Sequence, residues 1–141
     1  MDQLFTFATA HPWMFVAAGV VIVLIVANEL HGSLTGGKRL NVVEAVRLIN
    51  DRDPVILDVR PIADFKRGHL LNAVNVPLGK LTELPGKIAK EKDKPMLVYC
   101  ALGGSSVSAA AALKKDGFAE VYPLRGGINA WLTSNLPVTT R

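Results

Sequence analysis

Hydrophobic and polar positions follow two regimes along this chain. Between Phe5 and Ala27 there is no Lys, Arg, Asp or Glu, and WMFVAAGVVIVLIVA, Trp13 to Ala27, runs without a polar side chain. Such a segment is apolar on every face, whereas a core helix of a soluble domain is apolar along one stripe, so the pattern predicts a membrane-spanning helix. Leu4 to Leu30 reaches spanning length with Thr6, Thr9, His11 and Asn28 near its ends. At about 1.5 Å per residue a helix of that length covers the roughly 30 Å hydrocarbon layer. A cleaved signal sequence would carry positive charge ahead of the apolar stretch and a small-x-small site after it. The N-terminus offers only Asp2 and the exit reads VANELHG, so the segment is expected to stay in the mature protein.

HGSLTGGKR, positions 31–39, has the composition of a flexible tether. The chain therefore divides into an anchor (1–31), a linker (32–39) and a domain (40–141). In the domain, NVVE (Asn41 to Glu44) reads as an Asn cap with Glu three residues on, opening a helix expected to end near Asn50. PVILDV (54–59) and PMLVYC (95–100) are short, continuously apolar runs that suit strands buried on both faces. Between them lie a short helix at PIADFKRG, an extended piece at NAVNVP, and a Lys-rich helical stretch, LTELPGKIAKEKDK, interrupted at Pro85 and Gly86. A helix from Ser105 to Gly117, a strand at EVYPL and a last helix at GGINAWL complete the pattern. Strands alternating with helices imply an α/β domain, a parallel sheet with helices on both faces.

Composition sharpens this in three ways. A chain of 141 residues, half of them apolar, builds one compact domain plus an appendage. Positions 1–12 have no Lys or Arg, whereas Lys38, Arg39, Arg47 and Arg52 follow the span, which predicts an external N-terminus and a cytoplasmic domain. The net charge of +4 suits a domain beside an anionic leaflet, and without a basic stripe interleaved with aromatics it does not point to nucleic acid.

Candidate chemistry centres on the lone cysteine, in CALGGSS (Cys100 to Ser106), where an apolar strand gives way to an alanine-rich helix. By itself, a cysteine after four apolar residues reads first as a buried strand end. The competing reading is a nucleophile: the amides of Ala101, Leu102, Gly103, Gly104 and Ser105 can wrap the sulfur, and the helix N-terminus ahead of Ser106 favours thiolate. Gly103 and Gly104 permit that wrapping. His11, His31 and His69 give no Cys/His metal spacing, and His69, in GHL, reads most simply as a turn whose imidazole bonds backbone, with pairing to Cys100 as the alternative.

Three segments in order, DVRPIADFKRGHLLNAVNVP, VYCALGGSSVSAAAAL and GFAEVYPLRGGINAW, resemble the rhodanese-like family across nearly all of residues 40–137. With the N-terminal span, the chain is similar to the membrane-anchored single-domain members of bacteria. The resemblance implies a sheet of about five parallel strands and an inner-membrane location. It implies a cysteine that takes sulfane sulfur as a persulfide and passes it to a thiol, protein or cyanide acceptor. Cys100 becomes the sulfur carrier and Ala101 to Ser106 the cradle. Asp58 and Arg60 match the family's strand-end pair, for which a supporting role is expected, with Asp58 accepting loop amides and Arg60 pairing with a carboxylate such as Asp64. Gly126, Gly127 and Trp131 match the closing motif and are expected to pack. No cofactor or metal is implied. Active members commonly carry Arg where this chain has Ser105, which removes a bidentate site for a sulfonate from the loop. The alternative function is a catalytically weak binding module that recruits a membrane protein. A phosphatase or arsenate reductase needs Cys, five residues and Arg, and position 106 is Ser106.

Overall fold

The computed structural model describes residues 10–141. Helix α1 (Pro12–Gly36) contains a window, Pro12–Leu30, long and apolar enough to cross a membrane, with mean hydropathy 2.2 and none of it buried. Leu4 to Thr9 of the expected span lie outside the described residues. The helix runs on over residues 32–36 and stops before Gly37, which takes a φ of +67°.

Gly36–Arg141 form a compact unit of their own. The Asn41 side chain accepts the Glu44 N–H at 2.9 Å and the Asn41 N–H donates to the Glu44 carboxylate at 3.0 Å, a capping box that opens α2 (Val42–Arg52). There follow β1 (Val55–Asp58), α3 (Ile62–Arg67), β2 (Ala73–Asn75), a 3-10 helix (Leu78–Glu83), α4 (Gly86–Lys90), β3 (Met96–Tyr99), α5 (Gly104–Lys115), β4 (Val121–Pro123) and α6 (Gly127–Thr133). The Lys-rich stretch thus divides into a 3-10 turn and α4, because Pro85 sets its own φ and brings no N–H to continue the first helix.

The sheet is parallel, in the order β2-β1-β3-β4. It has four strands where about five were expected. The fifth position holds a stub: Leu40 bridges Leu124, its N–H donating to the Pro123 carbonyl at 3.0 Å and its carbonyl accepting the Arg125 N–H at 2.8 Å. Asn41 caps α2 at the next residue, so this segment turns helical before a strand can grow.

Successive strand residues serve opposite faces, the period of two expected of β-structure. Val55, Leu57, Met96, Val98, Cys100 and Val121 pack with Ile88 of α4 and with Ala109, Ala110 and Leu113 of α5. On the other face Ile56, Leu97 and Tyr99 pack with Ala45 and Leu48 of α2 and with Ile128 and Trp131 of α6. With helices on both faces, β1 and β3 are buried along their whole length, which is why they read as unbroken apolar runs.

Candidate functional site

Chain order and strand order together place the site. After β1 the chain moves outward to β2; after β3 it moves the opposite way to β4. The loops leaving β1 and β3 therefore diverge, and the crevice between them is where open α/β sheets bind ligands. Asp58 ends β1 opposite Tyr99, which ends β3, and Cys100 is the next residue.

Cys100 is 6% exposed. The Gly103 N–H donates to Sγ at 3.0 Å, made possible by Gly103 turning at φ +99° just ahead of α5. Burial pushes the thiol up, but the Ser106 amide and side chain and the Gly103 and Leu102 amides outweigh it, holding Cys100 below the ordinary thiol value. Ser106 is fully buried and its hydroxyl donates to the Gly103 carbonyl at 3.1 Å, which ties its side chain to the loop. Ala101, Leu102, Gly104 and Ser105 are exposed. The seven residues singled out in sequence therefore form one structure, with the sulfur and Ser106 inside it and Ser105 on its rim.

The first turn of α6 supports this loop from outside. The Ile128 N–H donates to the Cys100 carbonyl at 2.9 Å and the Asn129 N–H to the Ala101 carbonyl at 3.2 Å. A Cβ on Gly127 would sit 2.3 Å from the Cys100 carbonyl oxygen, and one on Gly103 would sit 2.9 Å from the Gly126 nitrogen. Of the two glycines expected to pack, Gly127 is thus the one that, with Gly103 facing it, lets α6 approach the cysteine loop, whereas a Cβ on Gly126 would meet Ala130 of its own helix at 2.7 Å.

Asp58 and Arg60 form the neighbouring corner. Asp58 is fully buried and accepts the Arg60 N–H at 2.9 Å, together with the Arg60 guanidinium at 2.7 to 3.1 Å on both oxygens. Arg60 also donates to the Gly68 carbonyl at 2.7 Å and lies 5.6 Å from the centre of the Tyr99 ring. The expected Arg60 partner was Asp64; instead Asp58, two residues back, takes the guanidinium bidentately, and Asp64 pairs with Arg67 one helical turn on. Tyr99, missed in sequence because it reads as a core aromatic, accepts the Leu70 N–H at 3.1 Å, and burial with the Asp58 carboxylate nearby raises its phenol well above the usual range. His69 is buried with its ring nitrogens 2.8 Å from the Phe65 carbonyl and 3.1 Å from the Arg141 carbonyl, so the imidazole bonds backbone as the simpler reading had it.

Two cavities flank the loop. One, of about 410 Å³, is lined by Arg60, Asp64, Arg67, Ala101 and Asn129 among others. The second, of about 390 Å³, is lined by Arg39, Leu102, Gly103, Gly104, Arg125 and Gly126 among others.

A Cys-centred amide cradle at the switch point of a parallel sheet defines the class. The chain belongs to the rhodanese-like domain family, whose model matches residues 41–134. It is 32% identical over 139 residues to the uncharacterized protein YibN of Escherichia coli strain K12, covering 98% of this chain and 97% of that one. It is 43% identical over 94 residues to the thiosulfate sulfurtransferase GlpE of Coxiella burnetii, covering 67% of this chain and 86% of that one. Among solved structures, a rhodanese-related protein from Thermoplasma volcanium superposes with a TM-score of 0.65 at 28% identity, over 74% of this chain and all of that one.

Proposed function

We propose that this chain is a membrane-tethered sulfurtransferase or persulfide carrier in which Cys100 takes up sulfane sulfur and hands it to a thiol or protein acceptor. The observation that carries the reading is the Gly103 N–H donating to the buried Sγ at 3.0 Å, with the Ser106 and Leu102 amides also favouring the thiolate. Donors that favour a thiolate also favour the terminal sulfur of a persulfide, since both are anions at the same end of the same loop. With thiosulfate as donor, the Cys100 thiolate attacks the outer sulfur. A new S–S bond forms, the donor S–S bond breaks, and sulfite leaves with the electron pair. An acceptor thiolate then takes the outer sulfur and returns Cys100 to the thiolate. Ala101 to Ser106 form the cradle in this scheme, while Asp58 and Arg60 position the loop beside it. The similarity to GlpE, a thiosulfate sulfurtransferase, supports sulfane sulfur as the cargo.

Residues 4–30 serve as the anchor, in the inner membrane of a bacterium, with the N-terminus outside and residues 40–141 in the cytoplasm beyond a linker at 32–39. A cytoplasmic thiol stays reduced between turnovers. The test compares the full chain with its Cys100→Ala and Cys100→Ser variants, using thiosulfate and a protein persulfide as donors. Transfer is expected to vanish in both variants, and mass spectrometry of thiol-blocked protein is expected to find one extra sulfur on Cys100. Undiminished transfer by either variant overturns the reading.

One observation favours a second reading, a binding module that recruits a membrane protein: the loop position at which active members commonly carry Arg holds an exposed Ser105. Capture of one defined partner in detergent, lost without residues 4–30 and retained by Cys100→Ala, is the outcome that reading requires.

A further inference from the structure

Arg39 and Arg125 belong to a face of the domain that the cysteine chemistry does not use. The Leu40 bridge to Leu124 makes them neighbours: Arg39 precedes one bridged residue, Arg125 follows the other, and the Arg125 N–H donates to the Leu40 carbonyl at 2.8 Å. Both are exposed and line the cavity of about 390 Å³ together with Leu102, which at 70% is the most exposed large apolar side chain of the domain. Gly104 and Val107 of α5 line it too, and their helical stripe continues through Ala111 to Lys114, which lies against Gly37. Among the described residues that line this cavity none is acidic, and Arg39, Lys114 and Arg125 are in no salt bridge. Glu44, the carboxylate within the field of Arg125, is held by the Asn41 N–H at 3.0 Å and by Lys38 at 3.5 Å. The cavity on the Ala101 side contrasts, since its Arg60 pairs with Asp58 and its Arg67 with Asp64, which also lines it.

Cations without carboxylate partners, set around an exposed apolar tip, suit a surface that is negatively charged outside and apolar beneath, which is the makeup of an anionic leaflet. An acidic protein would match the charge, but chain order favours lipid. Arg39 follows Leu30, the end of the apolar window, by nine residues, so anchoring by that window keeps this face beside the leaflet at high effective concentration. We propose that this face docks on anionic lipid, Leu102 entering the boundary between headgroups and acyl chains while Arg39, Lys114 and Arg125 sit among the lipid phosphates. The proposal rests on residues 4–30 being the anchor. Docking covers the Leu102–Gly104 side of the cysteine loop and leaves its Ala101 side, on the cavity of about 410 Å³, to partners in solution.

The test uses the full chain in lipid nanodiscs, with Cys100→Ser and Leu102→Cys and an environment-sensitive fluorophore on the thiol at position 102. In discs of equal phosphatidylcholine and phosphatidylglycerol the emission is expected to shift to the blue, and the shift to shrink as salt is raised; in phosphatidylcholine alone no shift is expected. The same fluorophore carried on Asp93→Cys, exposed ahead of β3 at the opposite end of that strand from Cys100, should not respond. Arg39→Gln and Arg125→Gln are each expected to lower the ratio of docked to free domain about fivefold, the loss of one cation beside an anionic surface. Lys at both positions should keep the ratio within about twofold, because a lipid surface reads charge rather than the planar fork. An equal shift in both lipids, no shift in either, a ratio untouched by Gln at both positions, or one lost with Lys overturns the proposal, and absence of any shift leaves the face to an acidic protein. If the chain does not enter the discs, the anchor reading fails; the same label, read as mixed-lipid vesicles are added to the chain in solution, then decides the surface by itself.

Discussion

Cys100 sits where two opposed effects meet: burial disfavours its thiolate, while the Ser106, Gly103 and Leu102 donors favour it more strongly. The alkylation rate of Cys100 against pH should accordingly have its midpoint below that of a free cysteine. Ser106→Ala, which removes a side chain that favours the thiolate and ties down the Gly103 carbonyl, should move the midpoint up. The linkage has a fixed sign. A thiol held below its unfolded value adds stability that is fully present above the unfolded value and is lost as pH falls through the folded one. Urea unfolding should therefore show stability rising through that window in the wild-type chain and not in Cys100→Ala. At the next strand end the balance is of a different kind, because Asp58 is fully buried and the Arg60 side chain is only 10% exposed. Asp58→Asn leaves a largely buried guanidinium with half its partners and is expected to cost about 3 kcal/mol in urea unfolding. Adding Arg60→Met to that variant should recover part of the loss, since an apolar side chain needs no counter-charge.

At the scale of elements, three glycines separate close approach from mere loop flexibility. Gly127 has φ +59° with two loop carbonyl oxygens within 2.6 Å of where a Cβ would be, and Gly103 has φ +99° against the Gly126 nitrogen, whereas Gly104 faces open space. Gly127→Ala and Gly103→Ala are each expected to destabilise by at least about 2 kcal/mol, because the obstructing atoms are backbone and the φ is left-handed. Gly104→Ala, at the first position of α5, should change stability by no more than about 1 kcal/mol and in the favourable direction. Chemical denaturation of the three variants measures the contrast. The same elements show what was legible in sequence. The capping box at Asn41, the two buried strands and the helix after the cysteine were each announced by local chemistry, so their positions followed from residue order. The divergence of the loops after β1 and β3 depends on strand order, which no local pattern carries. Arg60 illustrates the limit at one residue: sequence suggested a carboxylate such as Asp64 as its partner, and only the turn after β1, which folds the guanidinium back on its own strand end, gives it Asp58.

At the scale of the whole molecule, the long apolar helix and the cysteine loop belong to separate compact units. Window Pro12–Leu30 of α1 has mean hydropathy 2.2 and keeps none of its side chains from the surroundings, and Val, Leu and Ile so exposed each forgo about 1.5 to 3 kcal/mol in water. A bilayer restores that, so the full chain is expected to sediment with membranes through a carbonate wash. Val21→Lys together with Leu24→Lys, each adding about 2.5 to 3.5 kcal/mol to insertion, should release it. The Gly103 N–H on Sγ and the α6 amides behind the loop belong to Gly36–Arg141, so the released variant should alkylate at Cys100 within about twofold of the wild-type rate. Orientation is a separate question with its own reagent. Lys38, Arg39, Arg47 and Arg52 follow the span and no Lys or Arg precedes it, which favours a cytoplasmic domain. A membrane-impermeant maleimide should then leave Cys100 unlabelled in spheroplasts and label it once the membrane is opened. Labelling of intact spheroplasts would put the cysteine on the oxidising side, where a reduced thiolate has no means of persisting between sulfur transfers.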